Sequence, residues 1–229
     1  MADLKPLDRP PALADRVYAT LREHLRAGRI DRDGPLTEAA LAGELGVSRT
    51  PVREALARLA SEGLVAASGR SYSVPTLDER DVDELYALRR ILETEGVREA
   101  ARNRRTAPAP LRDAVAASVR AHKSGDVDGF IAANAAFRAG WLARVGNRRL
   151  VQAIELYSGH VQSLRPLTLA DPAVRTTVIA GLQAIAAAIV AGNGNDAARA
   201  MRTHLRNAEG ALRSAMGLAQ PRRVRSAAR

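Results

Sequence analysis

Apolar residues recur along most of this chain at the spacing of amphipathic helices, and one short stretch reads as strand. From Leu13 to Ala27 the positions Val17, Leu21 and Leu25 return every four residues, which puts them on one helical face. A second pattern runs from about Thr37 to Leu45, with Ala40, Leu41 and Leu45 together. A third runs from about Ser48 to Glu62, with Val52, Ala55, Leu56 and Leu59 on one arc. Thr37 can cap the second helix, and Gly46 can take the left-handed conformation that ends it. Ser48 or Thr50 can cap the third, whose Pro51 sits in the first turn, where a missing N–H costs nothing. Helix, tight turn, helix is the layout of a helix-turn-helix. Leu64-Val65-Ala66-Ala67 and Ser71-Tyr72-Ser73-Val74-Pro75, on either side of Ser68-Gly69-Arg70, then predict a small β-hairpin, a wing with Arg70 at its tip.

Beyond Pro75 no strand pattern returns. Thr76-Leu77-Asp78-Glu79 is a helix start with acids at the positive end of the dipole. The periodicity predicts six helices, at about 78–103, 109–124, 126–145, 147–164, 172–192 and 195–219, separated by glycine- and proline-bearing breaks, the longest from Pro166 to Pro172. The expected fold class is therefore mainly α. A loose arm over 1–11 leads into a winged helix-turn-helix over 12–76 (three helices and the hairpin). An all-helical domain follows over 77–219, and then a basic tail over 220–229.

Composition narrows the function. The chain has 229 residues, 46% of them hydrophobic but only 3% aromatic, so its cores are built from Ala, Leu, Val and Ile. A net charge of +10 favours a polyanionic partner. With no cysteine there is no disulfide framework or thiolate zinc site, which suits a reducing cytoplasm. No signal-peptide core is visible at the N-terminus. No uncharged apolar run approaches membrane-spanning length, apart from a short Ala-rich stretch near Ile185 to Val190. A soluble cytoplasmic protein, with no membrane partner, is expected. No nucleophile–base pair, Gly-rich phosphate loop or intact metal constellation points to an enzyme. The alternative of a non-specific, architectural nucleic-acid binder rests on the charge alone, and a large second domain exceeds what that role needs.

The third helix carries a polar arc at its N-terminus, with Arg49, Thr50 and Arg53. In a helix-turn-helix this end of the second motif helix faces base edges in the major groove. Arg can grip guanine O6 and N7 with two parallel hydrogen bonds, and Thr with the free N–H groups suits phosphate. The candidate DNA-binding residues are Ser48, Arg49, Thr50 and Arg53, with Gly69 and Arg70 from the wing. The competing reading is a solvated face on a helical hairpin. Arg16, Arg22, Arg26 and Arg29 on the first helix are better read as solvated arginines. The run L-T-E-x-x-L-A-x-x-L-G-V-S-R-T-P-V-R-E-A-L-x-x-L-x-x-E-G-L-V, from Leu36 to Val65, resembles the winged-helix domain of the GntR family of bacterial transcription regulators. That resemblance implies sequence-specific binding to double-stranded DNA.

The helical half resembles the FCD domain of the FadR-like branch of that family. The resemblance rests on R-x-x-L-E at Arg89, Leu92 and Glu93, on Gly146-Asn147 with Leu150, on M-x-x-H-L at Met201, His204 and Leu205, and on helix order. It implies a domain for effector binding and dimerisation. Many FCD domains hold a divalent metal through D-x-x-F-H and two later histidines. Here the stretch reads Asn134-Ala135-Ala136-Phe137-Arg138, the third position falls near Leu182, and only His204 matches. His122 and His160 are unconvincing substitutes, so no metal and no other cofactor is expected. The resemblance places Arg89, Asn134, Arg138 and His204 around a pocket suited to a carboxylate-bearing effector. The competing reading pairs Arg138 with an internal acid such as Glu93. The overall expectation is a homodimeric regulator, most simply a repressor, that leaves a palindromic operator when a small acidic metabolite binds.

Overall fold

The computed structural model describes residues 13–26, 28–30, 34–69, 71–103, 108–162 and 164–219. The proline-bearing arm, Arg70 and the basic tail lie outside them. The chain divides into two compact units, Met1–Thr76 and Leu77–Arg229.

In the first unit, α1 (Leu13–Arg26), α2 (Glu38–Leu45) and α3 (Arg49–Ser61) precede the strands β1 (Ala66–Ser68) and β2 (Ser71–Ser73). The caps follow their residue chemistry. Thr37 accepts the N–H of Ala40, and Gly46, at φ +63°, closes α2 in the left-handed conformation. Ser48 is the N-cap of α3, but its side chain makes no capping bond. The core joins Val17, Leu21 and Leu25 of α1 to Leu41 of α2 and to Val52, Leu56 and Leu59 of α3, with Val65 and Val74 from the hairpin stem. Tyr18 donates to the Glu62 carboxylate at 2.7 Å while Arg58 lies 3.8 Å over its ring. The hairpin pairs Ala66 with Ser73 and Ser68 with Ser71, so Ser68 belongs to the strand rather than to the turn. Leu36 exchanges two backbone bonds with Tyr72, at 2.7 and 2.8 Å, which ties the wing to the start of α2.

The second unit contains α4 (Glu79–Arg102), α5 (Ala109–Ser124), α6 (Val127–Leu142), α7 (Arg148–Gln162), α8 (Arg165–Leu169), α9 (Pro172–Ala191) and α10 (Gly194–Ala215). The short α8 occupies what the sequence suggested was a break. Pro166 falls in its first turn, where proline is preorganised for a helix. Asp78 opens α4 with a reciprocal capping box to Asp81, and Asn147 accepts from the N–H of Leu150 at 3.1 Å to start α7. The buried Arg144 donates to the carbonyl of Ala100 at 3.0 Å, satisfying an orphan at the end of α4. Trp141 of α6 and Ile154 of α7 meet α4 at Gly96, where a Cβ would lie 2.9 and 2.8 Å from them.

By length and composition alone α9 could cross a membrane, a longer apolar stretch than the one read near Ile185. It owes this to its place in the bundle. It packs on α10, α5 and α4 through Val178, Leu182, Ile185 and Ile189. Its Arg175 is buried and donates to the carbonyl oxygens of Leu169 and Ala170, at 2.6 and 2.9 Å.

Candidate functional site: a DNA-reading helix end and a cationic cavity

The start of α3 is a solvent-facing surface. Ser48, Arg49, Thr50 and Arg53 are all exposed, while Val52, Ala55 and Leu56 of the same helix are buried. The first turn contains no acid, so the free N–H groups and positive dipole end are left to an outside anion. Gly69 is exposed at the hairpin turn with φ +60°, a conformation glycine adopts without strain. Arg53 is held on one side. Its Nε and Nη2 donate to the two carboxylate oxygens of Glu38, each at 2.8 Å.

In the second unit, a cavity of about 50 Å³ opens among α4, α6, α7, α8, α9 and α10. One water needs only roughly 10–15 Å³, so several waters or the charged end of a small ligand would fit. Arg89, Asn134 and His204 line it, as do Tyr86 and Arg165. Arg138 does not. Its Nη1 donates to Glu93 Oε2 at 3.0 Å, and its Nη2 donates to the Ser158 hydroxyl. Arg89 Nε donates to the other Glu93 oxygen at 2.7 Å. Arg138 is thus a partner of Glu93, as the competing reading of the sequence has it, and not one of the groups lining this cavity. The reason is electrostatic: the buried Glu93, 2% exposed, needs compensating charge. Burial alone would raise its pKa, but Arg138 and Arg89 outweigh that and hold the carboxyl at about 2.

Two donors around this cavity are left over. The buried Nη1 of Arg89 has no hydrogen-bond partner among the described residues. The side chain of Arg165, half-buried at the same cavity, enters no hydrogen bond or ion pair found among the described residues. Burial, and then repulsion from Arg138 and Arg89, brings its pKa down to about 10. Burial, followed by the charges of Arg165 and Arg89, lowers His204 to about 4, so its imidazole is neutral at pH 7. His204 also packs against Gly181 where α9 approaches α10, so closely that a Cβ there would collide with its imidazole. Arg165 was invisible in the sequence because it sat in an apparent proline-bounded loop. Its only signal is an arginine inside a leucine-rich stretch, Leu164 to Leu169.

A divalent cation does not fit here. Of the four positions aligned with the metal ligands, Leu182 is aliphatic and buried, Asn134 is an amide, and Arg138 brings a guanidinium fixed on Glu93. His204 alone is a ligand type. The excess of guanidinium groups over carboxylates suits an anion.

Comparison with known proteins agrees with both halves. Residues 13–72 match the profile of bacterial regulatory proteins of the gntR family, and residues 84–207 match that of the FCD domain. A regulator from an unstable DNA locus of Streptomyces ambofaciens is 32% identical over 197 residues, spanning 83% of this chain and 80% of that protein. The solved structure of E. coli McbR superposes with a TM-score of 0.77 at 26% identity, covering 86% of this chain and 94% of that one. The gluconate operon transcriptional repressor of Bacillus subtilis is 40% identical over 79 residues, 34% of this chain and 32% of its own length. The chain belongs to the GntR family of bacterial transcription regulators, a DNA-binding winged helix-turn-helix followed by an FCD domain, and is not an enzyme.

Proposed function

We propose that this protein is a cytoplasmic, homodimeric repressor that releases a palindromic operator when a small carboxylate-bearing metabolite enters the cavity of its helical unit. The observation that carries the effector half is the partnerless buried Nη1 of Arg89, at a cavity that the half-buried guanidinium of Arg165 also lines. Buried donors without partners are rare and costly, and a carboxylate supplies the missing acceptors with charge-assisted bonds. Asn134, lining the same cavity, offers an amide for orientation. Arg138 serves from behind by keeping Glu93 ionised and occupied.

The DNA half places Ser48, Arg49, Thr50 and Arg53 of α3 in the major groove, with the Gly69–Arg70 turn reaching the backbone beside it. Two copies are needed because one such head makes few base contacts, and a two-fold dimer matches a two-fold operator. The repressor sense draws support from the gluconate repressor, whose likeness spans a third of this chain. Release requires the acid to bind better to the arrangement of heads that does not fit the operator.

The test has two steps. DNA selected by the protein from a random-sequence library should be inverted-repeat and bound roughly 10³-fold or more above random DNA. A panel of mono- and dicarboxylates is then titrated into the complex, and at least one should dissociate it in the wild type but not in Arg165→Ala. If no acid changes either DNA affinity or melting temperature, the effector assignment is wrong.

A further inference from the structure

Arg53, a candidate for base contact, is not free. Glu38 holds it by a parallel pair of hydrogen bonds, Nε to Oε1 and Nη2 to Oε2, both 2.8 Å. The arginine side chain is 64% exposed and the glutamate 23%. An ion pair this open contributes little to stability, so its fold value does not explain the matched geometry.

A guanidinium carries five N–H donors. The glutamate takes the side-on edge, one hydrogen from Nε and one from Nη2. Three remain, two on Nη1 and the second on Nη2, and one from each nitrogen forms the end-on edge. That edge can grip guanine O6 and N7, or two phosphate oxygens. An arginine fixed on one edge therefore presents the other in a single orientation, and the rotamer freedom usually lost on binding is already restricted.

Glu38 is itself anchored. It is the first residue of α2, directly after Thr37, whose hydroxyl oxygen caps that helix by accepting from Ala40 N at 3.2 Å. One residue further back, Leu36 is bonded to Tyr72 of the wing. The clamp thus links the recognition helix to the part of the unit where α2 and the wing meet.

We infer that Glu38 is a positioning residue for DNA recognition. It clamps the side-on edge of Arg53 so that the end-on edge reads DNA, and its negative charge weakens indiscriminate phosphate contacts, so the pair contributes selectivity more than affinity. This rests on the reading of α3 as the DNA-contacting helix.

The test uses the full chain, DNA selected from a random library by the wild type, and random DNA of equal length, across a salt series. Glu38→Ala should weaken binding to selected DNA about tenfold and leave random DNA bound equally or more tightly. In an Arg53→Ala background the same change should alter selected-DNA binding less than twofold. Glu38→Gln, which keeps one acceptor oxygen but not the charge, should fall between. Equal losses in both backgrounds, or loss together with a lowered melting temperature, would mean that Glu38 serves only the start of α2, and would overturn the inference. So would an unchanged ratio of selected to random binding. A wild type that prefers no sequence at all would instead overturn the underlying DNA-reading assignment.

Discussion

Arg138 and Arg165 carry the same charge near the same cavity, yet their removal should have opposite consequences. Arg138 shares Glu93 with Arg89. Breaking a buried ionic network by removing one partner costs roughly 3–5 kcal/mol, so Arg138→Ala should lower the melting temperature by roughly 6–20 °C in a chain of this size. Arg165 gives up no hydrogen bond, and truncating it relieves repulsion by Arg138 and Arg89. Arg165→Ala should leave the melting temperature unchanged or raised while the response to acidic ligands falls at least tenfold. Calorimetry on the two variants separates the roles, and equal destabilisation would show that Arg165 is structural. Titration gives a second handle. The drop of the Glu93 pKa from 4.5 to about 2 is equivalent to about 3 kcal/mol. Because the folded value lies below the unfolded one, this contribution is complete above pH about 4.5 and disappears as pH falls through about 2. His204, lowered from 6.5 to about 4, acts in the same sense but earlier, removing stability as pH falls from about 6.5 to 4. Acid unfolding should therefore begin in the histidine window, and Glu93→Gln should differ most from wild type above pH about 4.5. A gap between the two proteins that widens on acidification would contradict the Glu93 assignment.

At the scale of single elements, helix ends were easier to read than helix contacts. Thr37, Gly46, Gly125 and Gly192 mark ends by local chemistry that needs no tertiary information. α8 escaped notice because five residues cannot display a 3.6-residue period, and its Pro166 signals a break as readily as a first turn. The consequence was functional as well, since α8 carries Arg165 into the cavity. For Arg138 the sequence leaves two readings, a cavity contact or a partner of Glu93, because helical spacing puts a side chain on a face and the crossing of α4 with α6 decides which group it meets; it meets Glu93. Gly96 is where α4 meets α6 and α7 most closely. Gly96→Ala gains about 1 kcal/mol of helix propensity, but the new Cβ would meet Ile154 at 2.8 Å and the buried ring of Trp141 at 2.9 Å. Overpacking of this kind typically costs 1–3 kcal/mol. We expect a net loss of up to about 2 kcal/mol in denaturant unfolding. A stabilised variant would mean that the helices separate there without penalty.

For the molecule as a whole, the order of elements could be read from the chain because it depends on local pattern: amphipathic period, caps and a proline-marked first turn. The cavity could not, because its lining comes from six helices spread between Tyr86 and Leu212, and no local rule brings these together. Assembly is a further step beyond one chain. The charge of +10 on 229 residues favours any DNA through released counterions, with affinity falling steeply as salt rises. Such attraction alone cannot distinguish an operator from the rest of a genome, and a single α3 offers only a few side chains for the purpose. Doubling the reading heads makes the second contact intramolecular, which multiplies affinity for a correctly spaced inverted repeat without adding to it for random sequence. Light scattering at micromolar concentration should therefore report about twice the 24.4 kDa chain mass. Binding to an inverted repeat should exceed binding to one isolated half-site at least a hundredfold at the same salt. A particle of single-chain mass that binds the half-site and the full repeat equally well would show that this regulator reads DNA as a monomer.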